Sequence, residues 1–206
     1  MSIVEAFWKP QEDIEEVKKE KSLATPIIYL LIAGILTAIS APIFTYSMSS
    51  IRSAVYASGS VGSMLSAGPG VAAILGFLMV FLGGLLGGLY YMLVMRALKT
   101  ESDYFAGVAT IAHTAMPASL GFLILSVLSL LPMVGIIIGA IISLIFFALS
   151  AGTLYNATRE FFETDMITAF VGVSAFALSM VVIIYLFTFS MMTTLMTSLP
   201  TMPSMP

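Results

Sequence analysis

The chain has 206 residues, 59% hydrophobic and 9% charged, with eight Lys and Arg against eleven Asp and Glu for a net charge of −3. A soluble domain carries about 25% charged residues, so there is too little polar side chain here to coat a globule in water, and the balance gives no basis for nucleic-acid binding. Cysteine is absent, which excludes disulfides, thiolate metal sites and cysteine catalysis.

Residues 1–22 form the only sizeable polar segment. Pro10 suits the first position of a helix, Glu12 and Asp13 follow in its first turn, and Lys18, Lys19 and Lys21 close it, in register with the helix dipole. Glu15 and Lys19 stand four apart as a supportive pair. Phe7 and Trp8, just before Pro10, are residues that favour a membrane interface. Ile14 and Val17 make a narrow apolar stripe, too little to fold alone in water. It must rest on headgroups, on the protein's own loops or on a partner. Glu15, Glu16 and Glu20 argue against a purely anionic lipid surface.

Five apolar runs follow, at about 26–46, 71–95, 105–131, 133–156 and 166–190. Each is long enough for the roughly 20 residues that cross a hydrocarbon core, where backbone groups must be satisfied within the segment. The fold class is therefore all-α: a polytopic bundle of five transmembrane helices behind a short N-terminal amphipathic helix. A Ser/Gly-rich connection at 47–70 separates the first two spans, and Leu131, Pro132 and Met133 link the third and fourth as antiparallel neighbours. The expected organisation is a cytosolic segment 1–22, a membrane domain 23–195 and an extracytoplasmic tail 196–206. Lys9, Lys18, Lys19, Lys21, Arg96, Lys99 and Arg159 then share one side with all eleven acids, and Arg52 lies opposite. The basic side is expected to be cytoplasmic in the cell membrane.

Packing motifs are clearer than chemistry. The second span carries overlapping GxxxG pairs, Gly83 with Gly87 and Gly84 with Gly88, and the fourth carries Gly135 with Gly139. Such grooves let another backbone approach closely, and packing within the monomer is favoured over a homo-oligomer interface. His113 is the one ionisable side chain well inside a span, which makes it a functional suspect. Pro117 leaves the carbonyl of His113 without its usual partner, and Thr110 and Thr114 stand nearby as donors, so these four form the candidate polar site. With no acid in the spans, the favoured reading is a neutral histidine hydrogen-bonded to another helix. Met191, Met192, Met196, Met202 and Met205 make a poor copper trap without cysteine or a second histidine. No HExxH, no intramembrane aspartate pair and no serine with an evident base appear, so no enzyme activity, metal or cofactor is expected.

The opening AFWKPQEDIEEVKKEKSLATPIIYLLIAGIL, Ala6 to Leu36, resembles the start of prokaryotic members of the Yip family, which place an aromatic residue before a proline, then a charged helix, then five spans. FAGVATIAHTAMPASLGFLI, Phe105 to Ile124, is similar to the family's third span, proline included. The DLYGP motif of eukaryotic members is absent, and Ala112 and His113 stand where they carry a glycine–tyrosine pair, so GTPase binding is not carried over. The resemblance implies a non-enzymatic integral membrane protein, a membrane-organising scaffold or accessory subunit; from its own residues, segment 1–22 is expected to rest on the protein's loops or to meet a membrane-protein or cytosolic partner. The alternative is a small transporter or channel component using the His113 turn, which would need a water-filled path to that residue.

Overall fold

The computed structural model describes residues 10–55, 68–131 and 134–198. Its elements are α1 (Pro10–Glu20), α2 (Ala24–Val55), α3 (Pro69–Ala97), α4 (Tyr104–Leu128), α5 (Val134–Phe161) and α6 (Met166–Ser198). Among the described residues there is no strand, and five helices, α2 to α6, are long and apolar enough to cross a membrane. This is a multi-pass helical membrane protein. Phe7 and Trp8 lie outside the described residues, and Pro10 is the first residue of α1.

Three helices run past the lengths read from the sequence. α2 continues through Ser47 to Val55, where a connection from residue 47 is expected. The reason is at its far end: Ser47 is buried and donates its hydroxyl to the Ser129 carbonyl at 2.5 Å, so a polar residue finds its partner without leaving the helix. α5 likewise runs to Phe161, taking Arg159 and Glu160 into its last turns. Its end packs against α1, which makes Phe161 and Phe162 core rather than loop. α6 extends to Ser198, beyond the expected end at 190.

α4 is the hub. It packs along α2, α3 and α5, while α2 and α3 also pack on each other. α6 makes slight contact with α5 and α3, through its first half. One core cluster holds Tyr29, Leu30, Ala33, Val108, Ala112 and Met116 between α2 and α4. A second lies at the α1 end, where Ile14 and Val17 sit among Tyr91, Met95, Ala109 and Phe161. The amphipathic helix thus rests on the bundle itself.

Asp103 begins α4 as its N-cap, accepting from the Ala106 amide at 2.7 Å. Asp165 does the same for α6, accepting from the amides of Ile167 and Thr168 at 2.8 Å each. A carboxylate at that position satisfies donors that the first turn leaves open and complements the dipole.

Candidate functional site: a buried carboxylate, histidine and tyrosine beneath α1

Asp13, Ile14 and Val17 are the buried residues of α1, at spacings that put them on one face, while Glu15, Glu16, Lys19 and Glu20 face outward. That face brings a carboxylate onto the bundle. Asp13 is 0% exposed and His113 4%. The Tyr29 hydroxyl lies 2.8 Å from Oδ1 and 2.9 Å from Oδ2 of Asp13 and donates to the carboxylate. Nε2 of His113 lies 3.1 Å from Oδ2, off the line of a hydrogen bond, so that contact is an electrostatic approach. Nδ1 faces the Ala109 carbonyl at 2.7 Å, one turn back on the same helix. The imidazole is walled by the rings of Tyr29, edge-on at 5.1 Å, and Phe161 at 5.4 Å.

The sequence places no acid within the five expected spans, yet His113 has one beside it. The acid comes from outside the spans: α1 folds back and inserts it. Asp13 read from the sequence serves the dipole of its own short helix; in the structure it sits under that helix, where an unpaired carboxylate would be costly, and it accepts from the Tyr29 hydroxyl with the His113 ring beside it. The signal that could have exposed it was the spacing itself. Asp13 shares the face of Ile14 and Val17, and a lone histidine at depth calls for a counter-charge.

Of the other members of the expected polar site, Thr114 is spent locally and Thr110 is not. Thr114 donates to the Thr110 carbonyl at 2.7 Å, within its own helix. Thr110 is fully buried and its hydroxyl has no hydrogen-bond partner among the described residues. α4 stays helical through Pro117, and Ser150 from α5 donates to the Thr114 carbonyl at 2.8 Å, beside the loosened turn. The structure brings His113 together with Asp13 and Tyr29 rather than with Thr114 and Pro117. A second buried polar pair, also missed from the sequence, is Tyr91 with Thr158, whose hydroxyls lie 2.6 Å apart and join α3 to α5.

Among the expected packing glycines, register decides. A Cβ at Gly88 would sit 2.7 Å from the Val108 Cα, and one at Gly84 would strike the Leu30 side chain. Gly83 has nothing within 4 Å and Gly87 only Ile111 at 3.9 Å, so this half of the overlapping motif faces away from the bundle. A Cβ at Gly135 would strike the Leu128 carbonyl, and one at Gly139 would sit 3.2 to 3.3 Å from Leu125 and Leu128, so both glycines close the α4–α5 hairpin.

At the same end of the bundle a polar cleft of about 680 Å³ is lined by Lys21, Lys99, Glu101, Asp103, Glu163 and Asp165, among others. It gathers the end of α1 and the α3–α4 and α5–α6 links on one side of the molecule. Lys18 of α1 pairs with Glu163 at 3.1 Å across it. The Asp165 carboxyl is held below the usual carboxylate range, first by the Thr168 amide and then by the Thr168 hydroxyl. Phe161 lines the cleft and also packs on His113, so its ring separates the two.

In chemical terms the buried group can hold a proton and fix α1 in place. It is not arranged for nucleophilic catalysis. An activated hydroxyl needs a free ring nitrogen as base, and here one nitrogen faces a backbone carbonyl and the other a carboxylate. Among the described residues no cluster of His, Asp and Glu could hold a metal ion.

Compared with known families, the chain matches one described as the Yip1 domain over residues 4–195. It belongs to the Yip1 domain family. No curated protein and no solved structure matches it. The match takes in α1 as well as all five spans, so Asp13, Tyr29 and His113 all lie inside the Yip1 domain, and α1 is part of that domain rather than an appendage to it.

Proposed function

We propose that this Yip1-domain protein is a non-enzymatic scaffold or accessory subunit of the cell membrane, with a cytoplasmic N-terminus and an extracytoplasmic C-terminus. The observation that carries the reading is the seal over His113. Transport would require water to reach that residue, whereas Asp13 and His113 are buried beneath α1 and the cleft is lined by Phe161 and not by either of them. Residues 1–22 are then the cytosolic segment, 23–195 the membrane domain and 196–206 the outer tail. The positive-inside asymmetry supports that orientation, since Lys18, Lys19 and Lys21 at or just past the end of α1, Arg96 and Lys99 at or just past the end of α3, and Arg159 in the last turns of α5 lie toward the cleft end.

A scaffold works through its surfaces. The face of α1 turned away from the bundle, with Glu15, Glu16, Lys19 and Glu20, is what the cytosolic end offers to a protein partner. The test is purification from native membranes with mass spectrometry of what comes with the wild type and with the Glu15→Lys, Glu16→Lys, Glu20→Lys variant. A protein partner held by the wild type and lost from the charge-reversed chain is the expected result. A small transporter is the second reading, favoured by an ionisable pair at the depth of the spans. Absence of any protein partner, together with flux in proteoliposomes that His113→Gln abolishes, would establish it and displace the scaffold.

A further inference from the structure

We propose that Asp13, His113 and Tyr29 form a proton-binding site that locks α1 onto the bundle, and that loss of this proton releases the helix. The inference rests on α1 acting as a cover, and it adds what governs that cover. It begins with the two ring nitrogens. Nδ1 faces the Ala109 carbonyl at 2.7 Å and Nε2 the Asp13 carboxylate at 3.1 Å. With Nδ1–H on the Ala109 carbonyl, a neutral ring leaves the Asp13 carboxylate without a counter-charge, whereas the doubly protonated ring keeps that bond and sets a positive charge beside Oδ2. The Tyr29 hydroxyl has a single hydrogen to share between two carboxylate oxygens, so Asp13 keeps acceptor capacity for the imidazolium.

Among the described residues, the side chains lying against the ring are Asp13, Tyr29 and Phe161. α1 supplies Asp13, and its Glu16 and Glu20 are exposed. α2 supplies Tyr29. α3 supplies Tyr91, tied to Thr158. α4 offers the uncharged Thr110, and α5 packs Phe161 on the ring. α5 also carries Arg159, whose Nε is buried without a partner, two residues before Phe161. From the α5–α6 link, Glu163 is engaged by Lys18.

Removing the proton leaves a buried carboxylate held by one hydroxyl, and a buried charge stripped of its counter-charge is strongly unfavourable. Among the described residues, α1 is also tied to α2 by a long, exposed hydrogen bond from the Thr25 hydroxyl to Glu20. Ile14 and Val17 are its apolar anchors, and the Lys18–Glu163 pair is exposed enough for solvent to screen it. Lifting α1 returns Asp13 to water and uncovers His113. The sign is therefore definite: α1 is docked while His113 is an imidazolium facing a carboxylate, and it comes away as rising pH takes the proton.

The chain lacks cysteine, so single thiols report without background. In the full-length protein in detergent, Val17→Cys places a thiol under α1 and Lys19→Cys places one on its outer face. The ratio of their labelling rates cancels most of the thiol's own pH dependence. From about pH 5 to about pH 10, a range that spans the ordinary histidine value near 6.5, the ratio is expected to start low and rise by at least about tenfold toward the alkaline end. With His113→Gln added, which keeps a donor for the Ala109 carbonyl but carries no proton, the ratio should be raised throughout and flat. A low, flat ratio in the His113 protein overturns the proton site and leaves the cover intact. A ratio near one at every pH shows that α1 is not docked, and overturns both.

Discussion

α4 and α6 are both membrane-length helices with no Asp, Glu, Lys or Arg, yet one is the centre of the molecule and the other its margin. In α4, 33% of the most apolar stretch is buried, against 11% in α6. The order is the reverse of their hydropathy, since α4 is the least apolar of the five spans. In water the more apolar helix would be inside. In lipid, hydrophobicity no longer sorts helices, and close packing and polar contacts do. α4 presents Ala106, Gly107, Ala109, Ala112 and Gly121 as a surface that three neighbours approach, and adds His113 and Ser126 as polar groups. α6 presents Ala169 and Gly172 near its start and then Val181, Val182 and Ile183 to the surroundings.

The largest way to break this contrast is at His113. His113→Leu strands the Asp13 carboxylate under α1 and should cost about 3–5 kcal/mol in unfolding free energy. Val182→Leu, on the exposed face of α6, should stay within about 0.5 kcal/mol of the wild type. Asp13→Ala should cost less than His113→Leu, because a histidine without its partner can shed its proton. The double variant should fall short of the sum, as expected of residues in contact. Thermal unfolding in detergent reads all four, and equal losses at His113 and Val182 would remove α4's special place.

Next in size is the glycine register. Gly88→Leu forces a side chain against the backbone of Val108, and overpacking of this kind costs about 1–3 kcal/mol. Gly83→Leu meets open space and should be neutral. On α6 the one close glycine is Gly172, which faces the flexible tip of Met95, so Gly172→Ala should be milder than Gly88→Ala. Stability and oligomeric size of these variants in detergent would tell intramolecular packing from a homo-oligomer, since an oligomer built on the outer half of the motif would be disturbed by Gly83→Leu instead.

The same residues show what could be read from the chain. Five spans were legible because lipid demands continuous apolar runs, and those runs are set apart by charged links, by the Ser/Gly-rich stretch 47–70 and by Pro132. His113 was legible as the lone ionisable group at depth. Its partner was not, because Asp13 lies in a segment that looks soluble and a first-turn acid already has an explanation in the helix dipole. Gly83 and Gly84 could not be told apart, since overlapping GxxxG pairs fit either face equally well and only the neighbouring helix selects one. The prolonged end of α2 was hidden because Ser47 reads as a loop residue until the Ser129 carbonyl is placed opposite it.

The α4 cap is smaller again. Asp103→Ala removes the acceptor for the Ala106 amide and should cost about 1 kcal/mol. Ala106 and Gly107 are buried immediately after it, so the start of α4 stays packed, and the loss should appear in the melting temperature without local opening.

At the start of α6 the cap stands almost alone, and this gives the smallest effect and the sharpest sign. Met166 and Ile167 are exposed and only Ala169 of the first turn is buried, so local opening there should depend on Asp165. Its carboxyl is held below the usual range chiefly by the Thr168 amide, with the Thr168 hydroxyl next. A group whose folded value is depressed contributes its stabilisation above the unfolded value, near 3.9 for an aspartate, and loses it as the pH falls through the folded value. Hydrogen exchange at the Ile167 and Thr168 amides, corrected for intrinsic rates, should therefore show protection near pH 6 that declines toward about pH 3, while the turns around Ala106 hold. Asp165→Asn still caps the helix through a neutral oxygen, so it should show weaker protection that does not vary with pH. Wild-type protection that is unchanged over this range would mean that the start of α6 is held by something other than its carboxylate, and the contrast with the packed start of α4 would lose its electrostatic half.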